Sequence, residues 1–449
     1  MRGVVYYSSF TNIQCIFYIP YMYLKLFILF LLFVCGAFAQ NYQNLTLQNC
    51  VEIAKKNSLT LVAAKLSEKT AESSLSQAKN NRWPDLRGGI SQGIAGSPLF
   101  KDSENRYSLG VSLNSSMPLF TAGRIGHSVD QAQYRKEIAV FNSEATARTL
   151  SEQVIRAFVQ VWSLIESESS AKASLVLSKK LFAKDSVLFS AGSFTASDLA
   201  LAFAQVASDS LNLLQTQSSL IQSYTALRQF LEIPQNSEFS ILPPDSAKPK
   251  TTANYTTLLD LAQQNSIDKK IDSLSVLAAE EAIGVASAAR YPNMSLSGSL
   301  SSGLRWEIDD PRYQKQLKNG LGYSASVSLS IPIVDWGAAA DGILQAQVAK
   351  ERAQITALNT QKQLENTIEQ LALQVETYRL QWEVSSVQME AQKLALEKSV
   401  QQHELGMLDI SSLIQQQTIF NNSQIKHNQA KYSYLLGKSL LDLHTGNFQ

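Results

Sequence analysis

Two very long stretches of this 449-residue chain contain neither glycine nor proline. One runs from His127 to Ala191 and the other from Ile343 to Leu405. Because glycine and proline are the residues that most often interrupt helices, each stretch predicts one continuous helix. At about 1.5 Å per residue, a helix of about 65 residues is roughly 98 Å long, whereas helices of globular domains average three to four turns. The chain must therefore contain an elongated helical part.

Apolar side chains recur at heptad spacing along both stretches. The first contains Val154, Phe158, Val161 and Ile165, and the second contains Leu364, Ile368, Leu371, Val375, Tyr378 and Trp382. Alternating steps of four and three residues are typical of coiled-coil packing. Polar residues lie between these positions, so the helices are amphipathic. The helices alone would also fit an ordinary soluble coiled coil.

The two halves of the chain repeat each other at constant offsets. At a first offset, Ala54, Asn57, Ser58 and Trp83-Pro84 recur as Ala262, Asn265, Ser266 and Tyr291-Pro292. At a second, slightly larger offset, Pro118, Gly123 and Gly192 recur as Pro332, Gly337 and Gly406. The offset changes between Pro84 and Pro118, so the second copy has a longer insertion there. This pattern indicates an internal duplication of one structural unit.

The long helical stretches and the duplication predict a mainly α-helical chain, built as a repeated helix, β-hairpin and helix unit with a small β part. The first repeat (40–233) is predicted to have a helix, a β-hairpin at 85–118, a long helix at 124–190, a tip at 191–195 and a helix at 195–232. The second repeat (255–449) is predicted to have a helix, a β-hairpin at 293–332, a long helix at 338–405, a tip at 405–409 and a helix at 409–442. A proline-rich linker, 234–254, joins the repeats.

The hairpin regions alternate strictly between apolar and small polar residues. The apolar positions are Tyr107, Leu109, Val111 and Leu113 in the first repeat, and Met294, Leu296, Leu300, Tyr323, Val327 and Leu329 in the second. Serine dominates the alternate positions, and aromatic residues such as Trp83, Phe100, Tyr291, Trp306, Tyr313 and Trp336 flank the segments. Alternation over about ten residues with aromatic ends is typical of transmembrane β-barrel strands. A soluble hairpin pair capping a helical stalk is the alternative, but the serine-rich face suits a water-filled lumen better.

Four strands cannot close into a barrel, and an open sheet edge in lipid would leave backbone groups unpaired. Several chains must therefore share one barrel. Two copies would give eight strands and a filled interior, and three copies would give twelve strands and a lumen.

The N-terminal region predicts export. Lys25, the apolar run 26–34 and the small residues Ala37 and Ala39 form a signal peptide that ends at residue 39. Residues 1–21 fit poorly and are interpreted as lying upstream of a natural start at Met22. An uncleaved anchor helix and an acylated Cys35 are the alternatives. Cleavage would leave Cys50 as the one cysteine, so the mature chain could form no internal disulfide.

Nothing in the sequence predicts an enzyme. The formal charge of +1 argues against nucleic-acid binding. His127, His403, His427 and His444 show no metal-ligand spacing. Glu280 and Glu281 are neighbours within a predicted helix, so their carboxylates would diverge and be solvated. We expect no catalytic, cofactor or metal site.

Two kinds of motif carry a resemblance to the TolC family of bacterial outer-membrane efflux channels, over about residues 44–445. Pro118-Leu119-Phe120-Thr121-Ala122-Gly123 and Pro332-Ile333-Val334-Asp335-Trp336-Gly337 resemble its strand-to-helix junctions. The segments 192–199 and 406–410 resemble its helix-hairpin tips.

The resemblance implies a homotrimer with a twelve-stranded barrel in the outer membrane and an α-helical barrel in the periplasm. It implies that helices 45–82 and 408–442 are neighbours and that helices 195–232 and 256–290 stack end to end. Linker 234–254 and the C-terminus would form an equatorial belt. The expected function is a passive duct of a tripartite efflux or type I secretion system, and the tips would meet a periplasmic adaptor coupled to an inner-membrane pump. A periplasmic coiled-coil scaffold without a pore is the alternative, and the cargo (drug, metal or protein) stays open.

The resemblance also implies site residues. Tip residues for adaptor contact are Gly192, Ser193, Phe194, Gly406, Met407 and Leu408, and junction residues are Pro118, Gly123, Pro332 and Gly337. Candidates for the pore constriction are Asp198, Asp409, Ser412 and Gln415. Ser412 and Gln415 depart from the family's acidic pattern, which puts a cation-selective gate in doubt. Asp198 and Asp409 also fit ordinary acids at helix N-termini.

Overall fold

A computed structural model describes residues 43–95, 106–234, 239–243, 254–307 and 320–447. The signal peptide, Cys35, Phe100 and Tyr313, the side chains of Tyr107 and Trp306, and most of linker 234–254 lie outside the described residues.

The described elements are mainly helical and follow the duplicated order. The first repeat contains α1 (Leu47–Asn57), α2 (Leu59–Asn80), β1 (Asp85–Ala95), β2 (Arg106–Phe120), α3 (Arg124–Ser190) and α4 (Ala196–Leu231). The second contains α5 (Tyr255–Asn265), α6 (Ile267–Ser287), a short 3₁₀ turn, β3 (Asn293–Glu307), β4 (Leu321–Ser330), α7 (Ala338–Glu404) and α8 (Ile410–Thr445). Both long helices, α3 and α7, have 67 residues. Among the described helices, none is long and apolar enough to cross a membrane.

The helices form one layer that is four helices wide. Near the sheet the order is α2, α3, α6, α7, and towards the tips it is α4, α3, α8, α7. The long helices α3 and α7 run through both halves, and each shorter helix covers one half. Helices α2 and α4 therefore form one edge of the layer, and α7 forms the other.

The end-to-end joints correct one expectation. Helix α4 meets α1, because Asn57 Nδ2 donates to the Leu231 carbonyl at 3.2 Å. Helix α8 likewise meets α5, where Asn265 Nδ2 donates to the Thr445 carbonyl at 2.9 Å. The prediction that helices 195–232 and 256–290 stack on each other, with 45–82 beside 408–442, was wrong. Each terminal carbonyl is satisfied by the repeated asparagine of the helix that it meets.

The repeated motif around these asparagines has one physical role at both joints. Ser58 and Ser266 accept hydrogen bonds from Leu61 N at 3.3 Å and Lys269 N at 3.2 Å, and so cap α2 and α6. At the first joint, the Glu232 carboxylate also accepts a hydrogen bond from Leu59 N at 2.8 Å. The motif that revealed the duplication thus forms the joint between helix ends in each repeat.

The apolar core confirms the predicted heptad positions. Val154, Phe158 and Val161 of α3 are buried in a cluster at the middle of the layer, together with side chains of α1, α4 and α8. Ile368 and Val375 of α7 belong to a second cluster. The described part of linker 234–254 lies against this middle region, where Trp162 Nε1 donates to the Leu242 carbonyl at 2.7 Å.

The four strands form one antiparallel sheet in chain order, β1-β2-β3-β4. Strands β2 and β3 join the two hairpins, with Leu113 opposite Leu300. Strands β1 and β4 are the two edges, and no further strand of the described chain pairs with either.

Candidate functional site

Each hairpin tip reverses the chain through the same hydrogen-bonded turn. After α3, Gly192 N donates to the Phe189 carbonyl and Ser193 N to the Leu188 carbonyl, both at 3.0 Å. After α7, Gly406 N and Met407 N donate to the carbonyls of His403 and Gln402 at 3.0 and 2.9 Å. These pairs define a Schellman motif, which needs a left-handed residue after the helix. Gly192 (φ 78°) and Gly406 (φ 73°) supply it.

The tip residues named from the resemblance divide into two groups. Gly192, Ser193, Gly406 and Met407 are exposed. Phe194 and Leu408 are half-buried and pack against the apolar cluster at the end of the layer, which includes Leu181, Ala202, Leu396, Ile410 and Leu413. The first group presents a surface, and the second holds the tips onto the helices.

The acidic pore candidates cap the helices that leave the tips. Asp198 Oδ2 accepts hydrogen bonds from Thr195 N at 3.1 Å and Thr195 Oγ1 at 2.7 Å, and Thr195 Oγ1 accepts one from Asp198 N. Asp409 accepts from Ser412 N and Ser412 Oγ, both at 2.8 Å. The offset that relates Gly192 to Gly406 also relates Thr195 to Asp409 and Asp198 to Ser412. The two repeats therefore share one cap in which the acid and the hydroxyl exchange places.

The second cap favours the charged form of Asp409. Hydrogen bonds from Ser411 and Ser412 hold the pKa of Asp409 well below its usual range. Ser412 is committed to this cap, whereas Gln415, one turn further along α8, is exposed. Asp198 and Asp409 thus lie at helix N-termini as expected, and the structure shows that both take part in capping hydrogen bonds there.

The sequence did not predict a buried histidine–aspartate contact that lies next to both tips. His403 of α7 and Asp185 of α3 have no exposed side-chain surface, and His403 Nε2 lies 3.1 Å from Asp185 Oδ1. The other ring nitrogen, Nδ1, lies 2.9 Å from the Leu408 carbonyl oxygen. The centroids of the Phe194 ring and the imidazole are 5.8 Å apart, in a T-shaped arrangement. One histidine therefore contacts both long helices and both tips. The two residues are 218 positions apart, so no local pattern could have paired them.

The strand-to-helix junctions are type I′ turns. Ala122 (φ 49°) and Gly123 (φ 83°) are both left-handed, and Arg124 N donates to the Thr121 carbonyl at 3.0 Å. The second junction repeats this with Trp336 and Gly337, at φ 53° and 93°. Pro118 lies in β2 beside a register shift, and Pro332 follows the end of β4, both where ladder pairing ends.

The sheet has one apolar and one serine-rich face. On the apolar face, large side chains are exposed on all four strands, among them Leu86, Ile90, Val111, Leu113, Leu300, Tyr323 and Val327. On the other face, serine hydroxyls pair across β3 and β4 at 2.8–2.9 Å, as Ser295 with Ser328, Ser297 with Ser326 and Ser299 with Ser324. A hollow of about 370 Å³ on this face is lined in part by Ser297, Ser299, Ser324, Asp85 and Arg87. Trp83, Tyr291 and Trp336 are exposed at the helical end of the sheet.

The acidic pair at 280–281 diverges as predicted, but its members are not simply solvated. Glu280 lies 3.2 Å from Lys350 Nζ on α7, and Glu281 lies 2.7 Å from His127 Nδ1 on α3. Gly284 permits this contact, because a Cβ there would lie 2.5 Å from the His127 ring. Among the described residues, no cluster of histidine, cysteine and carboxylate side chains could hold a metal ion.

The four-helix layer, the capped tips and the two-faced sheet define a class of mainly helical protein that carries a small antiparallel sheet beside its helices. A family model described as "Outer membrane efflux protein" matches residues 50–231 and 258–447. The chain belongs to this family, which confirms the resemblance inferred from its tips and junctions. Membership places it in the bacterial outer membrane with a periplasmic extension. A family of efflux channels also agrees with the expectation that the chain is not an enzyme.

Individual relatives agree with the family. The pyoverdine export outer membrane protein OpmQ of Pseudomonas aeruginosa is 28% identical over 307 residues, which cover 65% of this chain and 62% of OpmQ. The structure of the Campylobacter jejuni CmeC outer membrane channel matches with a TM-score of 0.76 at 18% identity, covering 90% of this chain and 86% of CmeC. The open-state Neisseria gonorrhoeae MtrE outer membrane channel matches with a TM-score of 0.73 at 17% identity, covering 92% and 94%. These two structural matches show a shared fold.

Proposed function

We propose that three copies of this chain form a passive export duct that crosses the outer membrane and the periplasm. The observation that carries this proposal is the pair of unsatisfied edges on a single chain. Within the described residues, the sheet ends in β1 and β4, each unpaired on its outer side, and the helical layer ends in exposed apolar stripes. Both are satisfied when copies join head to tail in a closed ring.

The same repeat forms the same edge in both the sheet and the helical layer. The first repeat supplies β1, α2 and α4 at one edge, and the second repeat supplies β4 and α7 at the other. One rotation that pairs β4 with the next copy's β1 also brings α7 beside the next copy's α2 and α4. A head-to-tail contact of this kind generates a ring when the rotation closes. Three copies give twelve strands, enough to enclose a lumen lined by the serine face.

Helices α7 and α4 carry matching heptad seams on these edges. The α7 seam is exposed and consists of Leu373, Thr377, Leu380, Val384, Val387, Ala391 and Leu394. The α4 seam is also exposed and consists of Ala204, Ala207, Leu211, Leu214, Ser218, Ile221 and Thr225. Both follow the alternating steps of four and three residues that knobs-into-holes packing requires.

The two seams are matched in level as well as in spacing. Val384 precedes Gly406 by as many positions as Leu214 follows Gly192. With the tips level, Leu380 meets Ser218, Leu394 meets Ala204, and Val384 meets Leu214. Large residues therefore face small ones at most levels, which favours close packing between copies.

The tips would form the narrow, periplasmic end of the duct. Each copy brings the charged groups of Asp198 and Asp409 to this end, so a ring of copies would give it negative potential. Leu405 and Met407 are exposed beside Gly406 and offer an apolar contact for a periplasmic adaptor coupled to an inner-membrane pump. Tripartite efflux and type I secretion both fit this arrangement. The similarity to a pyoverdine exporter supports small-molecule cargo over protein.

Planar lipid bilayers test the pore directly. The purified oligomer, added to one side of a bilayer in potassium chloride, is expected to produce discrete conductance steps, because its lumen is lined by polar groups. The same sample should run as a heat-modifiable oligomer from the outer-membrane fraction. A coiled-coil scaffold without a pore would leave the bilayer silent and fractionate as a soluble periplasmic protein, and that result would overturn the proposal.

A further inference from the structure

We propose that Asp185 and His403 form a proton-dependent latch that holds the second tip (405–409) against the long helices. The proposal depends on the proposed function only in naming the tips as the closed end of a duct. The latch itself is a property of the single chain.

The geometry fixes the number of protons that the pair holds. The Leu408 carbonyl oxygen can only accept a hydrogen bond, so His403 Nδ1, 2.9 Å away, must carry a hydrogen. His403 Nε2 faces Asp185 Oδ1 at 3.1 Å, so a second hydrogen must lie between those two atoms. It makes no difference whether nitrogen or oxygen carries it. The closed pair therefore holds one proton more than a neutral imidazole and a carboxylate hold together.

The buried surroundings make the contact between Asp185 and His403 depend strongly on this proton. Both side chains are fully buried, so no water replaces a lost contact. Asp185 Oδ2 has no hydrogen-bond partner among the described residues, which leaves the carboxyl group dependent on His403. Without the shared proton, one ring nitrogen must turn a lone pair towards an acceptor: Nε2 towards the Asp185 carboxylate or, in the other tautomer, Nδ1 towards the Leu408 carbonyl. Either arrangement removes one of the two hydrogen bonds in a dry site, and so loosens the hold of His403 on the second tip.

Neighbouring charged groups are already engaged elsewhere. On the two long helices, Lys184 Nζ donates to the Glu404 carbonyl at 2.9 Å, and Lys180 Nζ lies 3.7 Å from the Glu404 carboxylate. On the short helices, Asp198 and Asp409 are held in their caps, as described above. Further along α4, Asp209 accepts hydrogen bonds from Gln205 and Gln417. Each of these groups therefore has a contact of its own, outside the Asp185–His403 pair.

The direction of the pH dependence follows from the proton count. In water, histidine is neutral above about pH 6.5 and aspartate is ionised. An opened tip therefore binds one proton fewer than the closed tip above that pH. By linkage, the equilibrium constant for opening of the tip increases by up to about tenfold for each unit of pH increase. Acidification therefore favours the closed tip.

Hydrogen exchange on the purified full-length protein tests the latch. In peptides covering 402–412, exchange corrected for its intrinsic pH dependence is expected to rise at least tenfold between pH 6.5 and 8.5. Peptides covering 150–165, in the buried middle of α3, should not change. Wild-type protein whose corrected tip exchange is flat over this range would overturn the proposal.

Asp185→Asn separates the latch from simple packing. The amide is nearly the same size and donates N–H to the lone pair of a neutral imidazole, so the contact survives without the extra proton. This variant is expected to keep a slowly exchanging tip at every pH, whereas His403→Ala should exchange rapidly at every pH. If Asp185→Asn keeps the wild-type pH dependence, the pair is not its source. The two proposals are tested separately. A negative hydrogen-exchange result would overturn the latch without affecting the pore, and a bilayer without conductance would overturn the pore without affecting the latch.

Discussion

Lysine at Val111 is expected to abolish the outer-membrane oligomer. Val111 lies at the middle of the β1–β2 ladder on the apolar face, opposite Ile90 of β1. A lysine near the bilayer midplane costs roughly 2–4 kcal/mol in transmembrane barrels, and every copy in the ring would bear this cost. The heat-modifiable oligomer on an unboiled gel should fall more than tenfold. Val327→Lys is expected to do the same in the second repeat.

The neighbouring residue provides the matched control. Ser112 points to the serine-rich face, where Asn114 Nδ2 donates to its hydroxyl at 3.2 Å. Ser112→Lys loses that bond, worth about 1 kcal/mol, but its charge meets water in the proposed lumen. It should assemble nearly as well as wild type. Equal assembly of Val111→Lys and Ser112→Lys would contradict the assignment of the apolar face to lipid.

A charge in the α7 seam is expected to break the ring without unfolding the chain. Val384 is 69% exposed in the single chain, so Val384→Lys costs little there. Between copies the same lysine would be buried against Leu214, which loses about 2 kcal/mol or more at each interface. Oligomer yield measured by light scattering should fall at least tenfold, while the circular dichroism of the helices stays unchanged.

Two further variants make this result specific. Glu390→Lys places the same charge on the same helix, at an exposed position beside the seam, and should leave the oligomer intact. Leu214→Glu, added to Val384→Lys, places opposite charges level with each other and should recover a substantial part of the assembly. The proposed packing of the α7 seam against α4 of the next copy would be wrong if Val384→Lys assembled like wild type. It would also be wrong if Glu390→Lys lost as much oligomer as Val384→Lys.

Much of the fold was predictable because its signals are local. The glycine- and proline-free stretch from His127 to Ala191 predicted most of α3, and the heptad positions at Phe158 and Ile368 are buried as expected. Alternation predicted the strands, since a period of two residues appears within a few positions. The tips and junctions were recognisable because their turns need a left-handed backbone conformation. Glycine adopts this conformation more readily than other residues, and Gly192 and Gly123 supply it.

The failures concern partners far apart in sequence. The helix joints were assigned wrongly because Asn57 and Leu231 are 174 residues apart, and an offset pattern shows duplication without showing which ends meet. The Asp185–His403 pair was missed for the same reason. A lone histidine in an amphipathic helix carries no local sign of what it will contact. The position of Asp198 and Asp409 at helix N-termini was predictable because it is a local property, and the structure adds that their capping partners lie within three residues.

Cysteine cross-linking within the seam tests the proposed ring most directly. Leu214→Cys and Val384→Cys would be introduced together and cross-linked in the outer-membrane fraction with a short thiol-reactive reagent. Burial raises the pKa of the native Cys50 thiol to about 12, so that residue should stay unreactive. Each single-cysteine variant serves as the control and should give no ladder. A denaturing gel of the double variant is expected to show one, two and three linked chains and nothing larger. A ladder that stops at two chains, continues beyond three or fails to form would contradict the three-copy duct.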